Sequence, residues 1–194
     1  MSFKDLVLKT RSYRRFRQAE PVPLDTLREL VDLARQTASG ANIQPLKYIL
    51  ATDPAMNARI FPLTRWAGYL ENWPGPVEGE RPSAYIVVLG DLELRKECET
   101  DLGIAAQTIM LAAVERGLGG CMIATVEREK LRTILKIPER YKILLVLALG
   151  RPVEQVVLEP VGPEGNIRYY RDAAGVHHVP KRSLEEVIVS QSGG

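Results

Sequence analysis

Apolar residues recur along this chain with two periods, and the switches between them predict a layered α+β fold. Residues 2–9 make a short amphipathic turn or two. After Pro21 and Pro23, the residues Leu24, Leu27, Val31 and Ala34 return at helical spacing to about Thr37. LKYILA (46–51) reads as a strand, and Pro54 opens a short helix through Phe61. SAYIVVLGD (83–91) is a second strand ended by Gly-Asp. The segment 99–116 carries Ile104, Ala105, Thr108, Ile109, Leu111, Ala112 and Val114, so it is a helix apolar nearly all round and covered on more than one face, with Gly117 stopping it. GCMIA (120–124) is a short strand, after which Thr125 is expected to cap a helix whose first turn holds Glu127 and Glu129. KILLVLALG (142–150) is an unbroken apolar run that suits a central strand buried on both faces. One sheet flanked by helices follows from this order.

Two stretches lack a period. Residues 62–82 hold four prolines, three glycines and both tryptophans, Trp66 and Trp73. So long an irregular segment reads either as a functional lid or as a surface loop whose tryptophans fill gaps. Residues 151–181 are rich in proline, glycine and charge, and they end in VPKR. Ser183 and Glu186 then form a capping box opening the apolar segment 184–189. The organisation expected is a single domain with a core over 1–150 and an extended arm, 151–194, packing on something else.

Composition narrows the class. With 194 residues, 45% apolar and 26% charged, the chain has the balance of an ordinary soluble globular protein. No apolar run approaches the roughly 20 residues that cross a bilayer, and MSFKDLVLKTRSYRRF has neither h-region nor small-residue cleavage site. A cytoplasmic protein with no membrane partner is therefore expected. The net charge of +2 is too small for a general nucleic-acid binder, although residues 9–17 gather Lys9, Arg11, Arg14, Arg15 and Arg17 without an acid. Cys98 and Cys121 form no CxxC pair and no metal-ligand spacing, so packing is their expected role and no metal site is read.

Four clusters could carry chemistry. In RSYRRF, Arg11, Ser12 and Arg14 offer forked, charge-assisted donors suited to a phosphate, or else a solvated basic face. SGANIQP sets Ser39, Asn42 and Gln44 on a loop pinned by Pro45, a set of neutral donors and acceptors for a flat polar ligand, or simply a polar loop. GLGGCMI follows a helix and enters a strand, the reverse of the dinucleotide fingerprint, and no GxxxxGK[ST] occurs; its glycines can be read as a tight helix-to-strand turn. Arg151 in ALGRP and Lys181-Arg182 in VPKRS bring cations to two ends of the tail, as ligand contacts or as surface ion pairs. The neighbouring His177 and His178 face opposite ways in an extended chain and read as structural or surface residues.

Taken in this order, RSYRRF, SGANIQP, GLGGCMI, LALGRP and PKRSLEEVI resemble the nitroreductase family of FMN-dependent oxidoreductases over essentially the whole chain, as a short nitroreductase-like subfamily. That resemblance implies an α+β fold with a central mixed or antiparallel sheet, an intertwined homodimer, and FMN held where two subunits meet. It implies that Arg11, Ser12 and Arg14 hold phosphate, ribityl chain and pyrimidine edge, and that Ser39, Asn42 and Gln44 reach across from the other subunit. It implies further that Met122, Ile123 and Ala124 line one face of the ring with a backbone N–H near N5. Lys181 and Arg182 would close on the phosphate, with Arg151 a weaker candidate and Arg81 an unplaced one. Thr10 stands where the family often has a first arginine, Leu46 where many members have an aromatic, and Met122 where others carry Trp or Pro.

The activity so implied is hydride transfer from NADH or NADPH to the flavin, then reduction of a nitroaromatic, quinone or other small acceptor on the same face. Such ping-pong exchange needs an open ring face, not a nicotinamide domain, and the cofactor carries the chemistry, so no catalytic side chain is expected. Two other readings remain: a flavin storage or sensor protein with little turnover, and a basic-arm protein that contacts RNA or acidic partners. The latter has against it the near-neutral charge and the lack of interleaved aromatics.

Overall fold

The computed structural model describes residues 1–193, which divide into two compact units. The larger comprises Met1–Trp66 and Pro74–Val153. Its elements are α1 (Phe3–Lys9), α2 (Leu24–Arg35), β1 (Leu46–Ala51), α3 (Pro54–Ile60), β2 (Ala84–Asp91), α4 (Glu99–Glu115), β3 (Gly119–Ile123), α5 (Arg128–Leu135) and β4 (Tyr141–Gly150). The sheet is antiparallel throughout, in the order β1-β2-β4-β3.

The residue pattern explains why the two longest apolar runs lie in the middle. Every residue of β2 is buried, as are the last six of β4, so neither strand could sit at an edge with one wet face. Ala84, Ile86 and Val88 point to one side, where Leu27 and Leu30 of α2 and Ala105, Ile109 and Ala113 of α4 complete the main core. Tyr85 and Val87 alternate to the opposite face. Ser2 caps α1 through a reciprocal capping box with Asp5, and Asp53 caps α3 ahead of Pro54. The cap of α5 differs from expectation. Thr125 lies outside the helix, its carbonyl accepting from Arg65 N–H, and Glu127 takes the N-cap position.

At the end of β2 the inaccessible Asp91 carboxylate receives a two-pronged contact from the Arg140 guanidinium, which also reaches Glu93. That contact holds the Asp91 carboxyl below the usual carboxylate range. A depressed native pKa adds stability above the unfolded value of about 4 and loses it as pH falls through the native one. Arg140→Met keeps the aliphatic stem and removes the partner. Its acid-unfolding midpoint, followed by circular dichroism, is expected at higher pH than wild type; an unchanged midpoint would remove this role.

The smaller unit comprises Ala67–Trp73 and the chain from Glu154 onward. The stretch 151–181, irregular by its pattern, holds three short strands: β5 (Val156–Pro160), β6 (Tyr170–Arg171) and β7 (His177–Lys181). β7 is central, parallel to β5 and antiparallel to β6. Two to five residues interrupted by Pro180 are too few for alternation to show. His177 is buried, whereas His178 bridges Glu159 and Asp172 at 3.0 and 3.2 Å and stacks on Tyr170. The segment 67–73 joins this unit through its aromatics: Tyr69 meets Tyr169 at 4.9 Å, and Trp73 lies under Arg171 at 4.8 Å. Trp66, by contrast, is buried in the larger unit and donates its indole N–H to Thr64. The two tryptophans of the irregular stretch thus serve different units.

Candidate functional site

The first polar cluster is fastened to the third. Leaving α1, the chain runs beside β3, where Ser12 makes a parallel bridge to Gly120 and Tyr13 N–H donates to the Gly120 carbonyl at 2.9 Å. This places Arg11, Ser12 and Arg14 along the outer edge of the sheet next to Met122. The Ser12 hydroxyl is in an exposed residue, and Arg14 is buried, its Nη1 donating to the Ser12 carbonyl at 3.2 Å. Arg11 donates through Nη2 to the Val7 carbonyl at 2.7 Å, while its Nε is buried without a partner. Burial pushes the Arg11 pKa down, and no carboxylate of the described residues pairs with it. A half-desolvated cation lacking its anion is a site that an incoming phosphate improves.

Along β3 the side chains alternate. Met122 is half-exposed and Ala124 exposed, whereas Ile123 turns inward and is buried. Of the three, Ile123 can offer only its backbone to a ligand on the outer face.

The second cluster is strained. Ala41, Asn42 and Gln44 all have positive φ, at 50°, 55° and 53°. Three non-glycine residues in the left-handed region within four positions are rare and persist only where neighbours hold them. Here the Ser39 hydroxyl accepts from Gln44 N–H at 2.9 Å, and the Gln44 amide donates to the Asn42 side-chain oxygen at 3.1 Å. Ser39 and Gln44 border a cavity of about 200 Å³ that reaches Tyr48 and Asp101. Those two were not singled out in the sequence. Asp101 is buried in the first turn of α4 with Oδ1 unpartnered, and burial, reinforced by Asp101, raises the Tyr48 phenol to about 12. The one sequence signal was an acid at the start of an otherwise apolar helix.

These two clusters lie at opposite corners of one sheet. The loop enters β1 at Leu46, level with Gly90 of β2, while Gly120 is level with Leu149 of β4, which pairs with Ala84. Three strand spacings and six residues of strand separate them, about 24 Å in all. No single small ring can touch both within one chain.

The remaining predicted cations are placed as follows. Arg151 follows β4 and pairs with Glu20 at 2.6 Å. Arg81 pairs with Glu78 at 3.3 Å and lies over the Phe61 ring. Lys181 ends β7 and is exposed, and Arg182 reaches Glu186 at 3.2 Å; both belong to the smaller unit. Among the described residues no cluster of His, Cys, Asp or Glu could hold a metal, and no helix is long and apolar enough to cross a membrane.

Comparison with known proteins bears on the family and the fold. The nitroreductase family model matches residues 7–151. A curated relative, an NADH dehydrogenase of Thermus thermophilus, is 27% identical over 78% of this chain and 87% of its own length. An iodotyrosine deiodinase of Thermotoga neapolitana is 22% identical over 76% and 87%. Among solved structures, a nitroreductase family protein of Streptococcus pneumoniae superposes with TM-score 0.71 at 17% identity over 98% of this chain and all of its own. A protein of Exiguobacterium sibiricum, described as a nitroreductase in complex with FMN, superposes with TM-score 0.67 at 17% identity, covering 79% and 90%.

Proposed function

The chain belongs to the nitroreductase family, and from that premise we propose that it binds FMN and works as an NAD(P)H-dependent oxidoreductase reducing a nitroaromatic, quinone or other small oxidised acceptor in a ping-pong cycle. The observation that carries this reading is Arg11: a half-buried guanidinium with no anion among the described residues, beside an exposed Ser12 hydroxyl, on a segment locked to the strand that presents Met122. The donor set fits a phosphorylated polar chain ending in a flat ring. Arg11 and Ser12 would take the phosphate, Arg14 the polar edge of the ring, and the outer face of Met122–Ala124 the ring plane with backbone N–H groups. Lys181 and Arg182 are further candidates for the phosphate. Arg151, already paired with Glu20, is the weakest of the set.

When bound, FMN supplies the hydride-accepting and hydride-donating chemistry. The chain's task is to orient the ring, to leave its outer face open and to surround the phosphate with positive charge. Ser39, Asn42 and Gln44 lie too far off to serve the same ring in their own chain. They serve the ring of a second copy, which makes the assembly a C2 homodimer with two equivalent sites. Uncovered apolar side chains favour that pairing: Phe3, Val7 and Leu8 on α1, Ile104 on α4, and Leu184, Val187 and Val189 in the last segment. We propose that residues 151–194 act as an arm on the partner. An interface above the roughly 2,000 Å² of obligate pairs is expected. A reducing cytoplasm suits the two free cysteines.

The test is spectroscopic. Purified protein is expected to be yellow and to bleach with NADH or NADPH under argon, then regain colour with a nitroaromatic or quinone. The likeness to an iodotyrosine deiodinase puts an iodinated phenol on the same acceptor panel. Colourless protein that refuses added FMN would overturn the proposal. Bound flavin with no NAD(P)H oxidation would favour storage or sensing.

A further inference from the structure

The smaller unit is a sheet without an apolar core. Among its described residues only Glu154 and His177 are buried, and no apolar side chain is. Hydrophobic burial within the chain therefore does not close it, and its local opening is governed by polar contacts. β6 adds only two residue pairs to β7, so the backbone ladder does not make up the difference.

The polar contacts converge on His178. On β7 it stands opposite Tyr170 of β6, and the two rings stack at 4.7 Å with 4° between their planes. Its Nδ1 lies 3.0 Å from Glu159 Oε2 on β5, and its Nε2 lies 3.2 Å from Asp172 Oδ2 in the turn after β6. Tyr170 closes the group by donating its hydroxyl to Glu159 Oε2 at 3.3 Å. The other Asp172 oxygen accepts from Val176 N–H at 2.8 Å, so the same carboxylate shapes the turn into β7. Among the described residues neither carboxylate pairs with another cation.

Only one protonation state satisfies this arrangement. An imidazolium donates from both nitrogens, one to each carboxylate. A neutral ring keeps a single N–H, and its bare nitrogen then turns a lone pair toward an anion. Burial and the nearby Glu159 push the Tyr170 phenol up, so it stays neutral where a histidine titrates.

We propose that His178 is a pH-operated latch: its imidazolium ties β5 to the 172–176 turn across β7, and loss of one proton releases the sheet of the smaller unit. The hydrogen bonds to Asp172 and Glu159 hold the His178 pKa above its ordinary value of about 6.5. A native value above the unfolded one adds stability that is complete below the unfolded value and is lost as pH rises through the native one. The latch is thus closed in mild acid and opens as pH rises. β7 ends in Lys181 and leads into Arg182, so the strand it frees carries both cations.

Hydrogen exchange of the full-length protein, followed by mass spectrometry at about pH 6 and about pH 9, is the test. After correction for the intrinsic amide rate, protection of 156–160 and 170–181 is expected to fall about threefold or more, while that of β2 stays constant. His178→Arg, a cation at both pH values, should be protected at both, and His178→Gln at neither. Glu159→Gln should move the loss to lower pH. The chain has two histidines, so the imidazole resonance missing from His178→Gln reports the titration itself. Protection of the wild type that ignores pH, a wild-type response in His178→Gln, or a His178 titration at or below about 6.5 would each overturn the proposal. Backbone exchange in the smaller unit is read whether or not flavin is bound, so failure here leaves the flavin proposal intact.

Discussion

Arg11→Ala is expected to weaken FMN by about 10- to 150-fold, since a hydrogen bond to a charged group is worth about 1.5–3 kcal/mol. Stability should hardly move, because the hydrogen bond that Arg11 makes within the chain, from Nη2 to the Val7 carbonyl, lies at the exposed end of α1. Retained flavin per chain after dialysis, measured beside Tm, separates the two effects. Arg14→Ala behaves differently. That side chain is buried against the Ser12 backbone, so flavin and Tm are expected to fall together. The division of the site between subunits gives a sharper form of the test. Gln44→Ala should also lose flavin, by loosening a strained loop on the opposite corner of the sheet. Co-expressing Arg11→Ala chains with Gln44→Ala chains then produces heterodimers with one doubly damaged site and one intact site. Their flavin content should return to one per dimer. Heterodimers that remain empty would mean that both residues serve a site within one chain.

How far the sequence could lead depends on the physical origin of each feature. β2 and β4 were legible because a strand buried on both faces has to be apolar without interruption, and few other elements of that length are. α4 was legible for the related reason that it is apolar nearly all round. Its buried face meets the main core, while Ile104 is left without cover in one chain. The short strands β5, β6 and β7 were not, since their pairing is held by long-range contacts such as the His178 bridge to Glu159 and Asp172. In the candidate site, residue types gave the donor chemistry of Arg11, Ser12 and Arg14. What they could not give was the fastening of that segment to β3, or the strain in the 39–45 loop, because φ at Ala41, Asn42 and Gln44 is imposed by neighbours rather than by propensity.

Gly120→Ala is the substitution expected to do most damage for its size. An added Cβ would stand 2.6 Å from the Ala148 carbonyl oxygen and 2.7 Å from Leu149, in the middle of the β3–β4 pairing. The first of these is backbone in a central strand, so relief requires the strands to part and cannot come from a rotamer change. Overpacking of this kind costs about 1–3 kcal/mol and occasionally more, which for a chain of this length is about 2–12 °C in Tm. Gly120 itself anchors the cradle, because its carbonyl accepts from Tyr13 N–H and Ser12 bridges it. Flavin should therefore be lost beyond what partial unfolding accounts for at 25 °C, and added FMN should not restore Tm. Gly68→Ala supplies the control: its Cβ would meet nothing within 4 Å, and its stability should stay within about 0.5 kcal/mol of wild type. The contrast tests what the glycines of GLGG do. If Gly120→Ala kept its Tm and its flavin, close packing of β3 between Ala148 and the Ser12–Tyr13 segment would not be the reason for glycine at that position. The reading of this strand as the floor of the site would fall with it.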